Sequence, residues 1–358
     1  MIPAAKPLIG DDERAAVDRV LRSGMLAQGP EVAAFEQEFS ALVDGRHCVA
    51  VNSGTSALHL SLLAVGVGAG DEVIVPSFSF AATANAVHLA GATAVFADIE
   101  LDYFALDPAA VEAAITPRTR AIMPVHLYGH PANLVALADI AKRHGLLLIE
   151  DAAQAHAASV DGVPVGAWGE AASFSFYPTK NMTSGEGGMV TCLSAEVARQ
   201  MRLLRNQGME KRYANEIIGF NTRMTDIHAA IGRVQLAKLA AWTGKRQSNA
   251  RFLNENITGV ITPPTAPGAV HVFHQYTIRI DGDDRDRFAA ELSARGVGNG
   301  VYYPTPIHRL PSFDLHLDLP QTELASSQVL SLPVYPSLTQ GELETIAQTV
   351  NDLAKAGS

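Results

Sequence analysis

The run LLLIEDAAQAH, residues 146–156, joins an unbroken apolar stretch to a pair of carboxylates. A short apolar run bounded by polar residues fits a strand covered on both faces, the kind found in parallel sheets. Ligands of such sheets collect beyond the C-terminal ends of the strands, so Asp151 stands where a ligand would lie. As an ordinary alternative, Asp151 caps a helix formed by AAQAH. Four similar runs precede it: HCVAV (47–51), EVIVP (72–76), TAVFAD (93–98) and RAIMPV (120–125). Helix-patterned segments alternate with them: TSALHLSLLAVG (55–66), AATANAVHLAG (81–91), DPAAVEAAI (107–115) and PANLVALADIAKRHG (131–145), the last closed by Gly145. This alternation predicts an α/β fold with a mostly parallel central sheet and flanking helices.

A chain of 358 residues exceeds the usual size of one core. A large domain over 1–244 and a smaller α/β domain over 245–358 are expected. MTDIHAAIGRVQLAKLAAW (224–242) reads as an amphipathic helix capped by Thr225 or Asp226 and leading into a further helix. The Pro- and Gly-rich ITPPTAPGAV (261–270) then marks a shift, followed by a strand-like HVFHQYTIRI (271–280) and a helix-like DRFAAELSARG (286–296). With 47% apolar and 18% charged residues, the composition is that of a well-buried enzyme. A net charge of −10 opposes a broad nucleic-acid surface. No apolar run is long enough to span a membrane, and the acidic N-terminal stretch lacks a signal-peptide core, so a cytoplasmic protein is expected. Cys48 and Cys192 lie in strand-like surroundings without CxxC spacing and read as buried thiols.

GVGAGDEV (66–73) precedes a strand and is a turn; a dinucleotide cradle would follow one. An anion site does fit VAVNSGTSALHL (49–60), where a strand leads through Ser53, Gly54, Thr55 and Ser56 into a helix whose first N–H groups are free. Simple helix capping would explain the same residues. Lys180 lies in SFSFYPTKNMTSGEGGMV (173–190), between a β-like run and a glycine cluster. A desolvated lysine can act as a neutral nucleophile toward an aldehyde. A carboxylate facing a pyridine nitrogen keeps it protonated, and a helix N-terminus accepts a phosphate. Pyridoxal phosphate requires all three.

SGTSAL, EDAAQAH, SFSFYPTKNMTSGEGG and GFNTRMTDIHAAIG occur in the order seen in the DegT/StrS-type sugar aminotransferases, fold type I pyridoxal-phosphate enzymes, which the chain resembles from AKPLIGDDERAAV (5–17) through LAQGPEVAAFE (26–36) to LSLPVYPSLT (330–339). The resemblance implies that Lys180 forms the Schiff base with the cofactor and that Asp151 partners the pyridinium nitrogen. It implies that Gln154, one helical turn later, reaches the ring's phenolic oxygen. Gly54, Thr55, Ser56 and Ser175 would hold the phosphate, and Phe80 would stack on the ring; ordinary core is the other reading of Phe80. Asn221 and Arg223 would complete the phosphate site of a second subunit, which implies a homodimer with shared active sites. Gly185, Gly187 and Gly188 would let the chain pass close to the cofactor. Ala157 stands where members of the family often carry glycine, narrowing the cofactor edge.

The implied reaction moves an amino group from an amino acid, glutamate by resemblance, to a nucleotide-linked keto-sugar, with Lys180 as anchor and proton carrier. His308, Tyr303 and Arg309 in VYYPTPIHRLP (301–311) are candidates for sugar contact, with a solvated loop as the alternative. Competing readings are an enzyme of the same fold acting on amino acids and a non-catalytic regulatory homologue. No metal site is expected: His126 and His130 are separated by Gly129 and adjoin Pro131, which breaks the helix that would pair them.

Overall fold

A computed structural model describes residues 1–282 and 284–357. Seven strands form the central sheet: β1 (His47–Val51), β2 (Glu72–Pro76), β3 (Thr93–Ala97), β4 (Thr119–Ile122), β5 (Leu147–Asp151), β6 (Ala171–Ser175) and β7 (Gly188–Cys192). Their spatial order is β1-β7-β6-β5-β4-β2-β3. Neighbours from β6 to β3 run parallel, whereas β7 is antiparallel to both β1 and β6. The sheet is therefore mostly parallel. Strands β2, β6 and β7 are buried along their whole length, which explains why their sequences lack alternation.

Eleven α-helices accompany the sheet and the C-terminal unit among the described residues: α1 (Asp11–Ser23), α2 (Pro30–Ser40), α3 (Gly54–Ala64), α4 (Ala82–Leu89), α5 (Pro108–Ala113), α6 (Leu134–His144), α7 (Ala195–Arg205), α8 (Asp226–Asn256), α9 (Arg285–Ala294), α10 (Pro320–Gln328) and α11 (Gln340–Gly357). On one face, Phe35 and Phe39 of α2 pack on Phe174 and Phe176 at ring separations of 5.1 to 5.8 Å. On the other, Leu58 and Leu62 of α3 meet Val73, Val75 and Val87. Helices on both faces bury most of the sheet, leaving His47, Thr93 and Arg120 exposed. Cys48 and Cys192 are free and buried; burial pushes both thiols up, Cys192 to about 11.

MTDIHAAIGRVQLAKLAAW does not lead into a second helix. α8 is one helix of 31 residues, and the expected domain division at 245 falls inside it. Its early residues Ala229 and Leu239 join the core beneath the sheet, and Ala250 and Leu253 join a second core. No proline interrupts it, and Gly232 and Gly244 are carried within it. Thr225 is its cap, accepting from the His228 N–H at 3.3 Å. Asp226 serves a different helix, accepting from Gly29, Glu31 and Val32 N–H groups at the start of α2.

The second core is built on a two-stranded antiparallel pair, β8 (Tyr276–Arg279) and β9 (Val329–Leu332), with α9 and α11. Ile2 packs there and bridges to Val297, so the first residues join the C-terminal core, not the large unit to which 1–244 assigned them. Within HVFHQYTIRI only 276–279 is strand; 271–275 is irregular and brings His274 and Gln275 to the site.

Ala157 has φ of 67°, a left-handed conformation that costs a side-chain-bearing residue about 1 kcal/mol or more. It packs against the main core and is not on the wall of the central cavity, so its effect is on the backbone, not on a cofactor edge as expected. Ala157→Gly is predicted to stabilise the protein by about 1 kcal/mol, read as a higher urea midpoint at unchanged slope.

Candidate active site

β5 ends at Asp151, and β6 delivers the chain through a turn to Lys180, whose backbone N–H donates to Tyr177 O at 2.9 Å. Both side chains line one cavity of about 700 Å³. The Asp151 carboxylate is buried and fully engaged on two sides: Thr83 Oγ1 donates to Oδ2 at 2.8 Å, and the Ala153 N–H donates to Oδ1 at 3.2 Å. Burial raises its pKa, countered by these hydrogen bonds and by Lys180 and His126. The Ala153 contact resembles capping, yet residues 152–158 form turns and no helix, so Gln154 is not one helical turn beyond Asp151. Burial also drives the Lys180 amine down to about 8, with Asp151 opposing the shift.

At another part of the wall lies the start of α3. Ser53, Gly54 and Thr55 line the cavity together with Ser175. Ser53 caps the helix, accepting from Ser56 N–H at 3.1 Å. A Cβ at residue 54 would sit 2.7 Å from the Ser175 Cβ, so only glycine lets the helix start and β6 close into a cradle. The N–H groups of a first helical turn have no intrahelical acceptor. Ser56, expected to join them, turns its hydroxyl back to Asn52 Oδ1 at 2.7 Å and is not on the cavity wall.

The glycine cluster acts on the protein instead of the cofactor. A Cβ on Gly188 would strike the Ser53 carbonyl, so β7 can pass directly under the α3 start only as glycine. Of the run 185–188, Glu186 alone lines the cavity.

Gln154 lines the cavity with its amide fixed: Oε1 accepts from Tyr128 N–H at 2.7 Å, and Nε2 donates to Tyr303 Oη at 3.2 Å. Tyr303 lines it too, and Phe80 lies tilted beside Tyr303 at 6.0 Å. Phe80 is 60% exposed, which rules out the ordinary-core reading. His308 is not a cavity residue. Its ring is buried between Ser77 Oγ at 2.6 Å and Glu323 at 3.1 Å, and Arg309 also pairs with Glu323, outside the cavity. These two close a loop onto α10. Asn221 and Arg223 are likewise off this chain's cavity; Arg223 Nη1 donates to Asn206 Oδ1 at 2.9 Å.

His126 donates from Nε2 to Glu150 Oε2 at 3.2 Å, and His130 accepts from the Ala266 N–H at 3.0 Å, so the two imidazoles face different partners. Glu150 also accepts from Gly166, Trp168 and Gly169 N–H groups. Several wall residues lay outside the sequence reading: Thr83, Tyr128, Tyr177, Glu186, His274 and Gln275. Thr83 carried no signal, since its bond to Ser79 at 2.9 Å is made only in the fold. His274 and Gln275 carried none, because an alternating pattern hid an irregular segment.

The donor set fits pyridoxal phosphate. One buried carboxylate, one amine of lowered pKa and a glycine-dependent cradle at a helix start share a single cavity.

A family model described as the DegT/DnrJ/EryC1/StrS aminotransferase family matches residues 7–351. The dTDP-3-amino-3,4,6-trideoxy-alpha-D-glucose transaminase of Streptomyces venezuelae is 43% identical over 349 residues, covering 95% of this chain and 92% of that protein. The erythromycin biosynthesis sensory transduction protein EryC1 of Saccharopolyspora erythraea is 45% identical over 351 residues, covering 96% and 94%. The X-ray structure of S. venezuelae DesV in complex with a ketimine intermediate superposes with a TM-score of 0.93 at 43% identity, over 96% of this chain and 95% of that one. The chain belongs to the DegT/DnrJ/EryC1/StrS aminotransferase family.

Proposed function

We propose that the protein is a pyridoxal-phosphate-dependent aminotransferase that passes an amino group from an amino acid, L-glutamate by preference, to the keto group of a nucleotide-linked sugar in the cytoplasm. The observation that carries this reading is the placement of Lys180 and Asp151 on one cavity with the α3 start. When bound, the cofactor supplies an aldehyde for an amine and a protonated ring that takes up the electron pair left by a departing α-proton.

Lys180 would hold the cofactor's aldehyde through Nζ, and its free amine would take the α-proton of the amino donor and return it as an acid. Its lowered pKa keeps a usable share of the amine neutral near pH 7. Asp151 holds a proton on the ring nitrogen, its own orientation fixed by Thr83 and Ala153. Gly54, Thr55 and Ser175 would hold the phosphate, and Gln154 would serve the ring's oxygen. Phe80 would stack on the ring, and Tyr303, beside Phe80 on the cavity wall, would contact the sugar. Asn221 and Arg223 serve the cradle of a second subunit, supplying the cation that this chain's own cradle lacks. Regulation without catalysis is the second reading, since one relative carries a sensory name. An intact amine, carboxylate and cradle favour catalysis.

The direct test is spectroscopic. Protein incubated with pyridoxal phosphate gains a visible band, L-glutamate bleaches it, and the correct nucleotide keto-sugar restores it; a protein that gains no band, or whose band survives every amino acid, refutes the reading. Lys180→Ala is predicted to lose the lysine-dependent band and all turnover while keeping its unfolding midpoint, because no other group replaces the amine. The rate at which the apo protein captures the aldehyde should rise about tenfold per pH unit below about 8 and level off above it, since only the neutral amine attacks. Mixing inactive Lys180→Ala with impaired Arg223→Ala chains should recover about a quarter of wild-type activity, because half the dimers then hold one intact site; no recovery would place Arg223 in its own chain's site.

A further inference from the structure

A second cavity, of about 30 Å³, adjoins the first and shares Thr179, Lys180, His274 and Gln275 with it as walls. The N-terminal segment 4–8, α8 and residues 334–336 close the rest. Lys6, Lys180 and Arg246 contribute to its lining, and no aspartate or glutamate does among the described residues. In a chain with a net charge of −10 that is a pronounced local excess of cation.

Arg246 is the decisive group. It is 7% exposed, and its Nη1 donates to Phe273 O at 3.0 Å and His274 O at 3.3 Å. Among the described residues its Nε has no partner, nor has the neighbouring His274 Nδ1. Two other arginines are buried as deeply, and each has an acid beside it: Arg205 with Glu36 and Arg285 with Asp286. Arg246 has none, and burial alone lowers its pKa to about 10. A buried guanidinium without a counter-charge is costly unless an anion arrives to pair with it.

We infer that this small cavity is the subsite for a carboxylate of the amino donor, held by Arg246 beside Lys180. The inference rests on Lys180 being the residue that handles the donor's amine. Lys180 is a wall of both cavities, so one short molecule can present its amine to Lys180 and its carboxylate to Arg246. Size divides the two substrates. A space of about 30 Å³ admits a carboxylate head and excludes a nucleotide sugar, which is left with the cavity of about 700 Å³. A guanidinium also suits the group, since its planar fork matches a carboxylate better than a point charge does.

The two half-reactions test this separately in the holoenzyme. Arg246→Gln should raise the concentration of L-glutamate needed for half-maximal bleaching by about 10- to 100-fold, the loss expected for a charge-assisted hydrogen bond. Restoration of the band by the keto-sugar should stay within about twofold, and Arg246→Lys should recover part of the glutamate affinity. A readout without turnover uses Trp242, which lines the cavity, in a Trp168→Phe, Lys180→Ala protein: glutarate should change its fluorescence saturably, and Arg246→Gln should abolish the change. Unchanged glutamate dependence in Arg246→Gln, with wild-type bleaching intact, overturns the inference and leaves the aminotransferase reading standing. Equal losses in both half-reactions with a lowered unfolding midpoint overturn it too, reducing Arg246 to a brace for residues 273–274. A fluorescence change produced equally by chloride assigns the cavity to any small anion and overturns the donor subsite. Failure of every amino acid to bleach the wild-type band removes both readings together.

Discussion

A carboxylate and an amine share one buried space, and much of the architecture serves to keep them there. Asp151 at the end of β5 and Lys180 beyond β6 are each shifted toward neutrality by loss of water. Each also holds the other partly charged. The balance leaves the amine close to the range where it can both attack and carry a proton, a state that water would not allow. Adjacent parallel strands β5 and β6 bring both residues to the same edge of the sheet.

Around that pair the support is polar and internal. Thr83 fixes one oxygen of Asp151 and is itself bonded to Ser79. Just before Asp151, Glu150 points to the opposite face and gathers His126 and three backbone N–H groups, tying the strand end to the 166–169 turn. Two successive acids in one strand thus have separate tasks, because neighbouring side chains leave a strand on opposite faces. The glycines add close approach. Gly54 and Gly188 bring the α3 start against β6 and β7, where any side chain would hold them apart.

The two cavities differ in size and charge. The larger has both signs on its wall, Asp151 and Glu186 against Lys180, and suits a substrate with a polar, extended body. The smaller is cationic only. Lys180 lines both.

The strands in chain order, the helices between them and the helix start at Gly54 were legible in the residues themselves. Each is set by local pattern: buried strands must be apolar, and a helix start must expose free N–H groups. Tertiary structure decided which of the neighbouring candidates face the site. Ser56, His308 and Arg309 carry suitable chemistry, but their partners Asn52, Ser77 and Glu323 draw them away. His274, Gln275 and Arg246 reach the site only because α8 and the 271–275 segment cross near Lys180. A sequence specifies which groups exist and how each segment curls; which of them share a cavity depends on contacts between segments far apart in the chain, and no local pattern encodes those.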